Sequence, residues 1–160
     1  MKDIKKDNLY KSNFPKNHKF TFNSDVANVF GDMVNRSVPG YEFLIENIGV
    51  LSKKFYQPNT KIYDLGSSLC ACSLSILEKV QNTEVQIYAV DSSKAMIDIC
   101  KKSIDRKEIK FINSNIEDVE MNNSSIVILN LTLQFILVKK RTELLKKIFS
   151  QLNDNGIIII

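Results

Sequence analysis

The residues with the clearest chemical potential are Asp64-Leu65-Gly66-Ser67-Ser68 and, further on, Asp91-Ser92. Gly66 stands where an apolar run must turn, and Asp91 ends the next apolar run. The gap between them is close to the roughly 20 residues that separate a nucleotide loop from the acid holding its ribose. A carboxylate at that point can accept both hydroxyls of an adenosine ribose. A dinucleotide would ask for more, because its two phosphates need bare glycine backbone and a helix N-terminus. Here Ser67, Ser68 and Cys70 follow Gly66. S-adenosyl-L-methionine carries no phosphate, and its sulfonium charge suits acids and carbonyls. The loop therefore points to that nucleoside over NAD, with Asp91 at the ribose; the bland reading of Asp91 is a cap on the following helix.

Other chemistries find little support. The single histidine, His18, lies far from the loop, which removes the commonest general base. Cys70, Cys72 and Cys100 are too few and too irregularly spaced for a disulfide framework, and a zinc site needs about four converging ligands. They read as small buried thiols packing a helix, with no metal expected. A net charge of +4 over 160 residues is mild and gives no argument for nucleic acid. No apolar run approaches the roughly 18 residues of a membrane span. The start of the chain is lysine-rich without an apolar centre, so it is no secretory signal and a cytoplasmic protein is expected.

These residues need a frame to hold them. Residues 1–20 read as a flexible basic tail and residues 21–160 as one domain. Val26, Val29, Phe30, Met33 and Val34 recur at helical spacing, with Ser24 as the expected cap and Pro39-Gly40 as the stop. A second helix over 41–55 places Phe43, Leu44, Ile48 and Leu51 on one side. From Lys61 the pattern changes to short buried strands alternating with helices: "KIYDLG", helix 68–80, "VQIYAVD", helix 93–104, "IKFINS", "SIVILNL", helix 139–152 and "GIIII". That alternation predicts an α/β, Rossmann-like, doubly wound parallel sheet with helices on both faces, preceded by two N-terminal helices. In such sheets ligands lie beyond the carboxyl ends of the strands, here at Asp64-Leu65-Gly66-Ser67-Ser68, Asp91-Ser92, Asn113 to Ile116 and Asn130. The run Ile157-Ile158-Ile159-Ile160 reads as a buried strand without its closing elements, so the domain is expected to be incomplete at this end.

Four stretches carry a more specific resemblance: "RSVPGYEFLIENIGVL", "YDLGSSL", "AVDSSKAMIDIC" and "VILNLTLQFI". From about Phe20 to Ile160 the chain resembles the carboxy-S-adenosyl-L-methionine synthases, enzymes of the class I methyltransferase fold. "SVPGY" and "LNLTLQF" are not general methyltransferase features. The resemblance implies conversion of S-adenosyl-L-methionine and prephenate to carboxy-S-adenosyl-L-methionine and phenylpyruvate, the product then serving tRNA wobble uridine modification. It also implies a homodimer; no direct contact with nucleic acid or membrane is expected. By the same resemblance Tyr41 contacts the cofactor, and Gly66, Ser67 and Ser68 surround its methionine part. Asp91 and Ser92 hold the ribose, Asn115 and Ile116 contact the adenine, and Asn130 stands beside the sulfonium.

The departures from that family are Ser67 for a cysteine, Cys70 for a glycine and Asn115 for an aspartate. Cys70 costs most if its backbone needs positive φ. The family's carboxylate-gripping arginine is expected in a segment beyond Ile160, which leaves Arg36 as a weaker candidate. No catalytic residue is assigned. Two other readings stay open: a small-molecule methyltransferase, and a non-catalytic remnant that binds the cofactor.

Overall fold

The computed structural model describes residues 24–82 and 84–160. The expected basic tail lies outside them, as does the expected cap by the Ser24 side chain. Helix α1 spans Ser24–Ser37 and α2 spans Tyr41–Phe55. Gly40 separates them at φ 74, the left-handed backbone that a turn between abutting helices requires. There follow β1 (Lys61–Leu65), α3 (Ala71–Val80), β2 (Gln86–Asp91), α4 (Lys94–Ser103), β3 (Ile109–Asn113), β4 (Ser124–Ile128), α5 (Val138–Gln151) and β5 (Leu152–Ile159).

All strand pairs are parallel, in the order β3-β2-β1-β4-β5. β1 pairs with β2 on one side and β4 on the other, so strand order reverses there, the usual place for a ligand crevice. Side chains alternate between two cores, as a sheet covered on both faces requires. Ile62, Ile87, Ile126 and Ile128 join Ile48 of α2, Ile76 of α3 and Cys100 of α4. Tyr63, Leu65, Val90 and Val127 join Leu144 and Ile148 of α5 on the opposite face. The expected doubly wound α/β fold is the fold observed.

Two expectations need correcting. The face that α2 buries is Ile48, Gly49 and Ser52, with Leu44 and Ile45 packed alongside; Phe43 is 71% exposed and Leu51 41% exposed. The reason lies in the approach of α3. A methyl group on Gly49 would collide with Ser75 and Lys79, so the two helices meet at the glycine and rotate Phe43 outward. Helix α3 starts at Ala71, not 68, because Ser68 and Cys70 take left-handed backbone at φ 48 and 63. The "GIIII" run is also less buried than expected. β5 is an edge strand of intermediate burial, with Ile157 and Ile159 against one core and Ile158 against the other.

Candidate active site

The carboxyl ends of β1, β2 and β4 open into a cavity of about 480 Å³, within the size range of small-molecule sites. Tyr41, Gly66, Ser67, Ser68, Asp91, Ser92, Asn115, Ile116 and Asn130 all line it, so the structure brings the nine expected positions together. Arg36 is not among the lining residues; its guanidinium donates to Asp32 one helical turn back, at 3.2 Å.

The loop after β1 is fixed by backbone. Gly66 N–H and Ser67 N–H both donate to Val90 O, at 2.8 and 2.9 Å, which ties the loop to β2. Gly66 has φ 79, and a methyl group there would strike the Thr132 side chain. Glycine is therefore required twice at this position, for conformation and for room. Asp91 joins the two strand ends. Its Oδ2 accepts from Ser68 N–H and its Oδ1 from Ser93 N–H, both at 2.8 Å. The helix cap proper is Ser93, whose hydroxyl accepts from Met96 N–H. Each Asp91 oxygen keeps lone-pair capacity for a further donor. Burial raises its pKa, while the two backbone bonds oppose the shift.

Beneath the loop sits Asp64, 2% exposed, a lining residue that the sequence reading quoted but did not assign. Burial pushes its pKa up to about 6, against the stabilising bonds from Ser73 Oγ at 2.7 Å and Ser73 N–H at 3.2 Å. Tyr41 faces the same pocket, and its phenol is pushed up to about 12 by burial and then by the negative character of Cys72 and Asp64. It is a protonated donor at any physiological pH. Asn130 donates to Cys72 Sγ at 3.5 Å. The Ser67 hydroxyl is buried and, apart from the adjacent Cys70 sulfur, has no hydrogen-bond partner.

Asn115 is exposed and donates to Asp118 Oδ2 at 3.2 Å, and Ile116 behind it is buried. The opposite wall is apolar: Phe30, Met33 and Val34 of α1 and the turn Leu131–Leu137 after β4. In the sequence the α1 residues read only as one apolar helix face. Their signal was present, since a helix face can serve a core and a cavity at once. Arg141 of α5 secures the turn by donating from Nε to Ile136 O at 2.9 Å and from Nη2 to Gln134 O at 3.1 Å. Nothing in the spacing marked Arg141, because its partners are main-chain carbonyls.

Among the described residues, seven non-glycine positions have positive φ; Asn59 and Asn123 lie in turns, Gln81 caps the end of α3 and Asn155 lies within β5. The other three, Ser68, Cys70 and Leu131, belong to the two segments that wall the cavity. Such strain persists where the surrounding structure imposes it, and it clusters at ligand sites.

The family model described as "Methyltransferase domain" matches residues 62–156. This chain belongs to the methyltransferase domain family. As a methyltransferase domain it aligns at 42% identity over 158 residues with carboxy-S-adenosyl-L-methionine synthase of Shewanella piezotolerans, covering 96% of this chain and 65% of that one. It aligns at 40% identity with the protein of the same name from Salmonella paratyphi C, covering 97% of this chain and 64% of that one. The chain thus spans somewhat less than two thirds of these relatives' length. Among solved structures, the methyltransferase CcbJ from Streptomyces caelestis superposes with a TM-score of 0.67 at 14% identity, covering 83% of this chain and 53% of that one. The plantazolicin methyltransferase BpumL, solved with a desmethylPZN analog and SAH, gives 0.64 at 19% identity, covering 84% and 51%. At those identities the likeness speaks for the shared methyltransferase fold.

No helix among the described residues is long and apolar enough to cross a membrane. No cluster of three or more His, Cys, Asp or Glu among them could hold a metal ion.

Proposed function

We propose that this domain binds S-adenosyl-L-methionine in the cavity and, in the protein to which it corresponds, converts it with prephenate to carboxy-S-adenosyl-L-methionine and phenylpyruvate. The observation that carries the ligand is the charge of the wall. Asp64 and Asp91 line it, with Glu117 also at the wall but paired to Lys140 at 3.0 Å, and no lysine or arginine lines it among the described residues. Such a wall repels pyrophosphate and attracts a sulfonium and an ammonium group. The two segments peculiar to the resemblance both supply lining: Ser37, Val38 and Tyr41 from "SVPGY", and Asn130, Leu131, Thr132, Gln134 and Phe135 from "LNLTLQF". The 40–42% identity to the named synthases supports the same reaction.

The residues fit the ligand. Spare lone pairs on Asp91 accept the two ribose hydroxyls, with Ser92 alongside. Gly66 allows close backbone approach, and the Ser67 hydroxyl and Ser68 border the methionine portion. Asp64 faces its ammonium group. Asn115 and Ile116 flank the adenine, one by a polar edge and one by an apolar face. When bound, S-adenosyl-L-methionine supplies an S-methyl group made acidic by the adjacent sulfonium. Tyr41 and Asn130 are the hydrogen-bonding side chains that orient the reacting end, and the α1 and Leu131–Leu137 walls exclude water from it.

The proposal extends to a tail over 1–20 and a domain over 21–160, a cytoplasmic homodimer and a product destined for tRNA modification. A second reading, a domain that binds the cofactor without turnover, has one observation in its favour. The described cavity presents no cation to a substrate that carries carboxylates, whose grip is usually a charge-assisted and often bidentate bond. Incubation of the purified chain with S-adenosyl-L-methionine and prephenate, read by mass spectrometry, tests the second reading, which phenylpyruvate formed by this chain would overturn. We expect binding of the sulfonium ligand, tighter than NAD by calorimetry, and little or no phenylpyruvate. Tighter NAD binding overturns the ligand assignment. Methylation of other small molecules in the same assay would place the protein among ordinary methyltransferases.

A further inference from the structure

We propose that Cys70 and Cys100 form an oxidisable dithiol whose closure to a disulfide ties the loop after β1 to helix α4. The two sulfurs lie 3.4 Å apart, both buried and both free thiols. A disulfide needs about 2.05 Å, so closure asks for an approach of roughly 1.4 Å. One partner sits at the left-handed residue that opens α3, the other inside α4. Cys72, the remaining thiol, is occupied elsewhere by Asn130.

Protons are already arranged for the reaction. Cys70 S–H donates to Cys100, whose own S–H donates to Ser68 O at 3.4 Å. The bond from Cys70 lowers the pKa of Cys100, whereas the same bond and burial raise that of Cys70. Cys100 is therefore the nucleophile and Cys70 the resolving thiol. The co-reactant is hydrogen peroxide. Cys100 thiolate attacks one peroxide oxygen, the O–O bond breaks, and the departing hydroxide leaves as water after taking a proton. Cys70 sulfur then attacks the Cys100 sulfenic sulfur and the S–O bond breaks. The hydroxyl leaves as a second water with the Cys70 proton. Two thiols lose two electrons in all, and one peroxide gains them. Access is short, because Ser68, whose carbonyl oxygen lies 3.4 Å from Cys100 Sγ, lines the cavity, and hydrogen peroxide is little larger than water.

Closure changes the site. The disulfide has no S–H, so Ser68 O loses its donor, and Ser68 N–H is the group that holds Asp91 Oδ2. Loop position and ligand affinity are coupled through that residue, and the coupling is reciprocal. This second part rests on the ligand reading above; the crosslink does not.

The test treats the purified chain with hydrogen peroxide, followed by proteolysis without reductant and mass mapping. The expected result is a Cys70–Cys100 linked peptide, reversed by dithiothreitol and absent in Cys100→Ser and Cys70→Gly. Oxidised protein should bind SAH about five-fold more weakly, the worth of one hydrogen bond, and saturating SAH should shift the dithiol–disulfide equilibrium toward the thiols by the same factor. Persistence of three free thiols, sulfinic acids without a linked peptide, or a link to Cys72 overturns the dithiol. Equal SAH affinity of reduced and oxidised forms overturns the coupling to the site. Should either variant fail to fold, the wild-type peptide map decides by itself. Reduced, folded protein that ignores SAH counts against the ligand reading and leaves the map unaffected.

Discussion

The two walls of the cavity are built on different physics. The wall from β1 and β2 is polar and pinned by main-chain hydrogen bonds: Gly66 and Ser67 to Val90, Ser68 and Ser93 to Asp91, and Asn113 Nδ2 to Asp91 O and Ser92 O. The wall from the turn after β4 is apolar and more open, with Phe135 61% and Leu137 60% exposed. Its main side-chain anchor is Arg141, bonded to two carbonyls of the turn. The first wall is preformed for one invariant ligand, where rigidity lowers the cost of binding. The second can adjust, as suits the side on which a second substrate must enter and leave. On the proposed reading, the nucleoside meets the first wall and the second substrate the other.

The comparison breaks most directly at Gly66. Alanine there must adopt φ 79 and displace Thr132, which belongs to the opposite wall. We expect a loss of about 2–4 kcal/mol of stability, from left-handed backbone and overpacking together, and no measurable SAH binding. Denaturant melts and calorimetry measure both; a variant of wild-type stability would mean the walls are not in contact there. Next in size, Asp91→Ala should weaken SAH binding by about 1.5–3 kcal/mol, the range for hydrogen bonds to a charged group. Unchanged affinity in a folded variant would reduce Asp91 to a structural brace for Ser68 and Ser93.

Asp64 sharpens the comparison through pH. Its carboxyl titrates near about 6 in the folded chain, above its ordinary value of 3.8. A raised carboxyl pKa means the folded state holds the proton more tightly than the unfolded one. Its contribution to stability is thus complete below pH about 4 and lost as pH rises through about 6. For a cationic ligand the sign reverses, because only the ionised carboxylate attracts it. Affinity for S-adenosyl-L-methionine should rise between pH 5 and 7, about tenfold for each unit by which the cation lowers the Asp64 pKa. Asp64→Asn should flatten that profile, and an unchanged profile would place the titrating group elsewhere.

The smallest effect is expected from the other wall. Arg141→Ala frees Gln134 O and Ile136 O, and should cost about 1–2 kcal/mol of stability while leaving SAH affinity within about two-fold. Arg141→Lys restores at most one of the two bonds and should recover about half. A large loss of SAH affinity in either variant would show that the walls are not independent.

Sequence and structure agree where the signal is local. Strand–helix alternation after Lys61 and the apolar spacing in α1 placed nearly every element, and strand ends are the places where a parallel sheet collects polar residues. The nine predicted positions converge for that reason. Non-local features were illegible. Phe43 and Leu51 fit the helical period of α2, yet α3 approaches on the other side of the helix at Gly49. The start of α3 was misjudged because Ser68 and Cys70 adopt a backbone that neither residue type announces. Asp64 stood in the loop sequence without a role of its own, and only its burial beneath the loop reveals a titrating group. The proximity of Cys70 to Cys100 depends on two helices and a loop docking together, which their separation in the chain does not predict.

The close approach at Gly49 also bears on where the chain opens. α2 and α3 lie on either side of β1 in the sequence, and the helix pair and the strand they cover form one continuous packed stretch, residues 41–80. β5 is an edge strand of intermediate burial. Local opening follows burial and packing, so amide hydrogens of β1 and of the buried faces of α2 and α3 should be among the slowest to exchange and those of β5 among the faster. Gly66 and the Ser67–Cys70 loop lie inside the slow stretch, so the loop after β1 opens only when that stretch does, whereas the edge strand can open alone.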